Sequence, residues 1–167
     1  ILFTYTGIES TPTMYEQLTA RYNHLSNVQI HLIDALKFLE SEISSKYMVV
    51  INSWTFHNWD KKYRRKVLKL IHNYIGDEGI LINADKIASD SPHEHQRNYK
   101  WQIEYIRKIF SSRNDIIEEW ITHYAYDEAD NIVLRENEYK NELKKIGFSE
   151  YVFIERKFMD IISIAIK

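Results

Sequence analysis

The sequence contains no cysteine among its 167 residues. This absence excludes disulfide bonds, thiolate nucleophiles and cysteine-ligated zinc. The chain also lacks a Gly-x-Ser-x-Gly elbow and a Walker loop, so α/β-hydrolase and nucleoside-triphosphatase chemistry have no motif to support them. The longest apolar runs, such as Met48–Ile51 and Gly79–Ile82, are far shorter than the roughly 20 residues of a membrane-spanning helix. We therefore expect no membrane partner.

The sequence also has no large excess of charge of one sign. Twenty-two basic and 24 acidic residues leave a net charge of −2, which gives no electrostatic basis for binding nucleic acid. The content of 44% hydrophobic and 28% charged residues is typical of a folded globular protein. Length and composition predict a single domain over residues 1–167, and the absence of a secretory leader predicts a soluble, cytoplasmic protein.

Short apolar runs alternate with helical stripes along the chain. Strands are predicted at Phe3–Ile8, Val28–Leu32, Tyr47–Ile51 and Gly79–Asn83. The continuous apolar run of the third is typical of a strand that is buried on both faces. Helices are predicted after the first three strands, at Pro12–Asn23, Ala35–Glu42 and Asp60–Ile75, and Gly76 is predicted to close the last one.

The second half of the chain departs from this alternation. Two aromatic-rich helices form an insert over residues 92–130, and a further helix covers Glu136–Ile146. Tyr151–Lys157 and Met159–Ile166 are joined tightly enough to form an antiparallel pair. The whole order predicts an α/β, Rossmann-like fold with one mainly parallel sheet and an antiparallel C-terminal strand.

Two acidic residues stand at the ends of successive strands. In an open α/β sheet, ligands bind beyond the carboxyl ends of the strands. A carboxylate has two acceptor oxygens, so Glu9 is suited to both hydroxyls of an adenosine ribose, and Asp34 can accept from an exocyclic amine of adenine. The pair predicts a site for an adenosine-containing ligand.

At this point the sequence resembles the class I S-adenosylmethionine-dependent methyltransferases. Gly7–Met14 resembles the family's Gly-x-Asp/Glu-x-Ser/Thr-Pro-x-Met segment, and Val28–Ala35 resembles its strand ending in Asp-Ala. Tyr47–Trp59 is similar to the family's fourth strand and following loop, which often ends in a Leu-His-His-like sequence. Gly76–Ile82 resembles its turn into the fifth strand, and Ile146–Ser149 its Gly-Phe tail.

The resemblance implies methyl transfer from S-adenosylmethionine to a small-molecule acceptor. It implies that the cofactor is bound by Glu9, Ser10, Asp34, Ala35, Asn52 and Ser53. His57 falls on the first histidine of the family's loop and is the candidate general base, with His95 and His123 as further candidates. The acceptor pocket is predicted to be lined by aromatic residues, namely Trp54, Trp59, Tyr99 and Trp101. The segment His93–His95 has no third ligand in view, so no metal site is predicted.

One part of the family pattern is missing. The sequence has no Gly-x-Gly, and the family's central first strand, with its Gly-rich loop, has no counterpart. That strand would lie between those predicted at Phe3–Ile8 and Tyr47–Ile51. We expect it to be encoded upstream of Ile1. Without it, we expect weak binding of the methionine half of the cofactor and an open strand edge that favours a homodimer.

Two alternative functions remain open. A methyltransferase-like interaction module without catalytic activity would also lack the Gly-rich loop. A nicotinamide-dependent oxidoreductase could use Glu9 for its ribose. The antiparallel closing strands and the position of Asp34 favour the methyltransferase over the oxidoreductase.

Overall fold

The structure of the protein is a computed structural model that describes residues 3–41 and 46–167. Contacts divide the chain into two compact units, Ile1–Ser44 and Ser45–Lys167. Among the described residues, no helix combines the length and the hydrophobicity needed to span a bilayer.

The first unit consists of two strand–helix repeats. Its elements are β1 (Tyr5–Glu9), α1 (Pro12–Tyr22), β2 (Val28–Leu32) and α2 (Ala35–Glu40). Pro12 opens α1, where its missing N–H would have no helical partner in any case. The two strands pair in parallel with Glu9 opposite Leu32, so that their carboxyl ends meet at one edge.

The second unit holds a larger mixed sheet. Its elements are β3 (Tyr47–Ser53), a short 3₁₀ turn (Phe56–Asn58), α3 (Lys61–Tyr74), β4 (Ile75–Lys86), α4 (Pro92–Ile109), α5 (Asn114–Tyr126), α6 (Glu136–Ile146), β5 (Glu150–Lys157) and β6 (Asp160–Ile166). The strand order is β3-β4-β6-β5. β3 and β4 are parallel, whereas β6 is antiparallel to both of its neighbours. The predicted α/β class with an antiparallel C-terminal strand is confirmed.

The core of the second unit is built from apolar stripes of the kind that the sequence predicted. α3 buries Val67, Leu68 and Ile71, and α6 buries Tyr139 and Leu143. Burial of such side chains contributes about 25 cal/mol per Å² of apolar surface removed from water. A bidentate ion pair ties the two helices together at the surface, because Arg65 donates to both carboxylate oxygens of Glu142 at 2.7 and 2.8 Å.

The helical insert has a smaller core of its own. Ile103 and Ile106 of α4 pack with Tyr124 of α5 and with Met159, which lies in the turn between β5 and β6. Both predicted helices of the insert are present. Their shared core fastens them to the C-terminal hairpin.

The prediction of one continuous sheet is wrong for the described residues, which form two sheets. β1 and β2 pair with each other, and β3 pairs with β4 alone. The prediction that Tyr47–Ile51 is buried on both faces is wrong for the same reason. β3 is an edge strand, and Met48 and Ile51 are 64% and 63% exposed.

Gly76 does not close α3, contrary to the sequence-based expectation. The helix ends at Tyr74, and Ile75 follows in an extended conformation as the first residue of β4. The close approach occurs at Gly79 instead. A Cβ atom there would lie 2.6 Å from Cγ2 of Ile75, so only glycine fits. Gly147, by contrast, ends α6, with φ of 122°.

Candidate functional site

In the first unit, the two predicted adenosine-binding acids lie at neighbouring strand ends. Glu9 is the last residue of β1, and its Oε1 accepts the backbone N–H of Thr11 at 2.8 Å. Asp34 follows β2 and caps α2, because its Oδ1 accepts the N–H of Lys37 at 3.0 Å. The backbone N–H of Ile33 donates to the carbonyl of Glu9 at 2.9 Å and joins the two loops. Ser10 and Ala35, also predicted to bind the cofactor, directly follow these acids in the chain.

In the second unit, the carboxyl ends of β3 and β4 are organised around Asp85, whose side chain is completely buried. Its Oδ2 accepts from the side-chain amide of Asn52 at 3.0 Å and from the N–H of Phe56 at 2.8 Å. Its Oδ1 accepts from the N–H of Lys86 at 2.9 Å and lies 2.5 Å from Nδ1 of His57. A carboxylate offers about four lone-pair sites, so Asp85 is saturated.

The tautomer of His57 follows from this arrangement. An ionised carboxylate has no proton to donate, so Asp85 can act only as the acceptor in its bond with the imidazole. Nδ1 of His57 therefore carries the proton. Neutral His57 therefore has its lone pair on Nε2. His57 is 4% exposed, which keeps bulk water from competing for the bond to Asp85.

The loop between β3 and α3 is held at its other end by a buried arginine. Nη1 of Arg64 donates to the carbonyls of Phe56 and Trp59, at 3.0 and 2.9 Å, and to that of Ile132 at 3.0 Å. Burial lowers the pKa of Arg64, and the two hydrogens of its Nη1 are shared among these three carbonyls. Trp54 enters the loop with φ of 51°, a left-handed conformation that is rare for a bulky residue.

A second buried charge lies next to Asp85 in the chain. Nζ of Lys86 donates to Oδ2 of Asp127 at 2.8 Å and lies 4.1 Å from the centroid of the Tyr124 ring. Burial lowers the pKa of Lys86, whereas the hydrogen bond to Asp127 opposes that shift. Oδ1 of Asp127 is buried and has no hydrogen-bond partner among the described residues.

The other two candidate bases differ in their surroundings. His95 is paired through Nε2 with Oε2 of Glu128 at 2.6 Å. His123 lies one helical turn before Asp127, with its Nε2 3.6 Å from Oδ2 of that residue, and its ring centroid is 6.1 Å from that of His57. The structure thus places His123, and not His95, in ring contact with His57.

The four predicted pocket residues do not form one cluster of ring contacts. Trp54 packs edge-on against His57 with ring centroids 6.0 Å apart. Trp59 packs on Phe56 and Tyr63. Tyr99 contacts Tyr124, and Trp101 contacts Phe158. Of the predicted residues, Trp54 is therefore the one in contact with the candidate base. The pocket itself stays a prediction.

Asn52 and Ser53, predicted to bind the methionine half of a cofactor, end β3. Nδ2 of Asn52 also donates to Oδ1 of Asn83 at 2.6 Å, which adds to its bond with Asp85. The carbonyl of Ser53 accepts from Oγ1 of Thr55 at 2.9 Å. Ser53 is exposed, whereas Asn52 is buried.

Three functional candidates were missed by sequence reasoning: Asp85, Asp127 and Asp160. Asp85 had a signal, since it follows the predicted strand Gly79–Asn83 by two residues, at the same edge as Asn52. Asp127 stands four residues after His123, and this spacing places both on one side of a helix. Asp160 had no signal, because its burial depends on how the C-terminal hairpin packs.

The comparisons with known proteins find similarity in structure alone. No protein-family model matches the sequence, and no curated protein matches it. Among solved structures, the chain is similar to PigF with SAH, with a TM-score of 0.60, 11% identity, and coverage of 98% of this chain and 43% of that one. It is similar to the CurJ carbon methyltransferase, with a TM-score of 0.64, 14% identity, and coverage of 98% and 41%.

A third similar structure is the N-methyltransferase NodS from Bradyrhizobium japonicum WM9 in complex with SAH. Its TM-score is 0.59 at 9% identity, with coverage of 98% of this chain and 66% of that one. The chain spans less than two thirds of the length of all three proteins. These likenesses show that the chain has the Rossmann-like fold of class I methyltransferases.

The acidic residue at the start of β6 gives a testable pH dependence. Burial raises the pKa of Asp160 to about 6, with Lys86 and His57 opposing the shift and Asp85 adding to it. Because the native pKa lies above the unfolded value of about 3.9, the protonated form stabilises the fold below about pH 4. That contribution is lost as the pH rises through about 6.

We expect Asp160→Asn to be more stable than the wild type at pH 7.5, by about 1–2 kcal/mol after allowance for solvent screening. Near pH 4, where both side chains are neutral, the difference should largely disappear. Urea unfolding of both proteins at the two pH values measures it. A variant that is less stable than the wild type at pH 7.5 would show that Asp160 is a stabilising carboxylate, contrary to this account.

Proposed function

We propose that the chain transfers a methyl group from S-adenosylmethionine to a small-molecule acceptor. The observation that carries the proposal is the placement of Glu9 and Asp34 at the carboxyl ends of two paired parallel strands, the edge where open α/β sheets bind ligands. The shared fold supports it, since the similar PigF and NodS structures contain SAH.

The residues of the first unit fit the adenosine half of this cofactor. The hydrogen bonds to Thr11 and Lys37 use Oε1 of Glu9 and Oδ1 of Asp34. A carboxylate has capacity for several acceptor bonds, so these hydrogen bonds are compatible with a role in binding. Glu9 would accept from the ribose hydroxyls and Asp34 from the adenine amine, next to Ser10 and Ala35.

Binding of the methionine half of the cofactor has less support from the described residues. Asn52 and Ser53 are its candidates, but the Gly-rich backbone that would approach it closely is absent from the sequence. The cofactor supplies an activated methyl group on its sulfonium. The chain then needs to position the acceptor and to remove its proton.

His57 is suited to that proton transfer. Its Nε2 would take the proton of an acceptor hydroxyl or amine, while Asp85 holds Nδ1–H and stabilises the imidazolium that results. Arg64 and Asp85 fix the backbone of the loop that carries His57, so the ring is positioned before the acceptor binds. Trp54, 42% exposed and edge-on to His57, would provide an apolar wall for the acceptor.

Adenosine binding tests the assignment of Glu9. We expect Glu9→Ala to weaken the affinity for adenosine by about 1.5–3 kcal/mol, the value of a hydrogen bond to a charged group. Isothermal titration of adenosine into both proteins measures this difference. Glu16→Ala is the matched control, because Glu16 is an exposed acid on α1 of the same unit. Equal losses in the two variants, or no loss in either, would remove Glu9 from the site.

Methyl transfer itself can be measured with methyl-labelled S-adenosylmethionine and a panel of small phenols, alcohols and amines. We expect His57→Gln to lower the rate about 10²–10⁴-fold with an oxygen acceptor, since Gln cannot act as a base. Adenosine affinity should not change. A wild-type chain that methylates no member of the panel at saturating cofactor, or a His57→Gln variant of undiminished rate, would contradict the proposed mechanism.

A further inference from the structure

We propose that His57, His123 and Asp127 form a binding site for a divalent transition-metal ion of the Zn²⁺ type. One candidate ligand atom from each residue lies within 4.8 Å of the others. Two imidazoles and one carboxylate are the ligand set of open, three-ligand metal sites, which leave a coordination position for water or substrate. The inference goes beyond methyl transfer and does not depend on it.

The geometry requires only a small closure. Metal–ligand distances of about 2.0–2.2 Å in a tetrahedron place the ligand atoms roughly 3.4 Å apart. Nε2 of His123 lies 3.6 Å from Oδ2 of Asp127. That oxygen accepts from Lys86, so the ion would take the neighbouring Oδ1 of the same carboxylate. With His57 held by Asp85, rotation of the partly exposed His123 side chain would bring its ring nitrogen within range.

The carboxylate of the cluster carries an unsatisfied atom. Asp127 has a side chain that is 2% exposed, and its Oδ1 has no hydrogen-bond partner among the described residues, while Oδ2 accepts from Lys86. A buried carboxylate oxygen without a partner carries a desolvation penalty that a bound cation would remove. The two oxygens of Asp127 would then serve two different cations.

Asp85 supports the proposed metal site through its hydrogen bond to His57, without binding the ion itself. Metal-bound histidines usually donate their other ring N–H to a carboxylate, which fixes the tautomer and raises the basicity of the ligand nitrogen. His57 has this bond to Asp85 at 2.5 Å, so Nε2 is the nitrogen left for a metal. The side chain of His123 is 41% exposed and provides access from solvent. A proton and a metal ion compete for Nε2 of His57, so the base form and the metal-loaded form exclude each other.

The test is a titration of the metal-free chain with Zn²⁺, followed by calorimetry, and with Co²⁺, followed by visible absorption. We expect one ion per chain. The Co²⁺ form should show the intense visible bands of four-coordinate cobalt. His123→Ala should weaken Zn²⁺ binding at least tenfold and abolish the bands. Asp85→Asn should weaken Zn²⁺ binding about 10–100-fold, because it removes the carboxylate that orients the His57 ring.

His93→Asn is the matched control, because His93 is an exposed histidine outside the cluster. The Zn²⁺ affinity of His93→Asn should equal that of the wild type. Since His123 is partly exposed, His123→Ala should keep its fold, which far-UV circular dichroism checks, and His123→Gln serves as the second variant. Equal Zn²⁺ affinity in the wild type and both His123 variants, or no stoichiometric binding by the wild type, overturns the proposal. Either result leaves the methyl-transfer test unaffected, because that test requires no metal.

Discussion

A buried carboxylate saturated with hydrogen bonds is the constraint on which the second unit depends. Asp85 joins the end of β3 through Asn52, the following loop through Phe56 and His57, and its own strand through the N–H of Lys86. An ionised carboxylate without these partners would be unfavourable in this place by several kcal/mol. The loop after β3 must therefore adopt the conformation that supplies them. The positive φ of Trp54 lies within this same loop.

The same constraint decides what the site can do. By accepting from Nδ1, Asp85 places the lone pair of neutral His57 on Nε2, where it is suited to a proton or to a metal ion. Lys86, the next residue, extends the polar network to Asp127 and the insert. The insert is thus connected to the strand ends by a buried ion pair as well as by the core around Tyr124. This network lies within the second unit, and the adenosine-type acids lie within the first.

The sequence predicted the order and type of the elements well, because several strands contain a short apolar run and the core-facing helices, such as α3 and α6, have a stripe of period 3.6. The sequence-based prediction failed for features that depend on how the elements pack against one another. The apolar run Tyr47–Ile51 is the same whether a strand is central or at an edge, and the structure places it at an edge. Gly76 and Gly79 cannot be told apart in the sequence, and what distinguishes Gly79 is the close packing of Ile75 and of the carbonyls of Gly76 and Met48 around it.

The candidate site shows the same division. Glu9, Asp34 and His57 could be found because each follows a strand, where an α/β sheet carries its ligands. Their assigned roles remain predictions. Asp127 and Asp160 come from the insert and the hairpin, and no local pattern links either to His57. Asp85 was visible at a strand end, but its role depends on the partners that the loop folds back to supply.

The position of the proton on neutral His57 reports directly whether Asp85 orients the ring. Long-range proton–nitrogen NMR of the imidazole, on protein labelled at histidine and at a pH where the ring is neutral, distinguishes the two nitrogens. We expect a protonated Nδ1 and an unprotonated Nε2 in the wild type, and a loss of this preference in Asp85→Asn. A neutral His57 that carries its proton on Nε2 would show that Asp85 does not orient the ring.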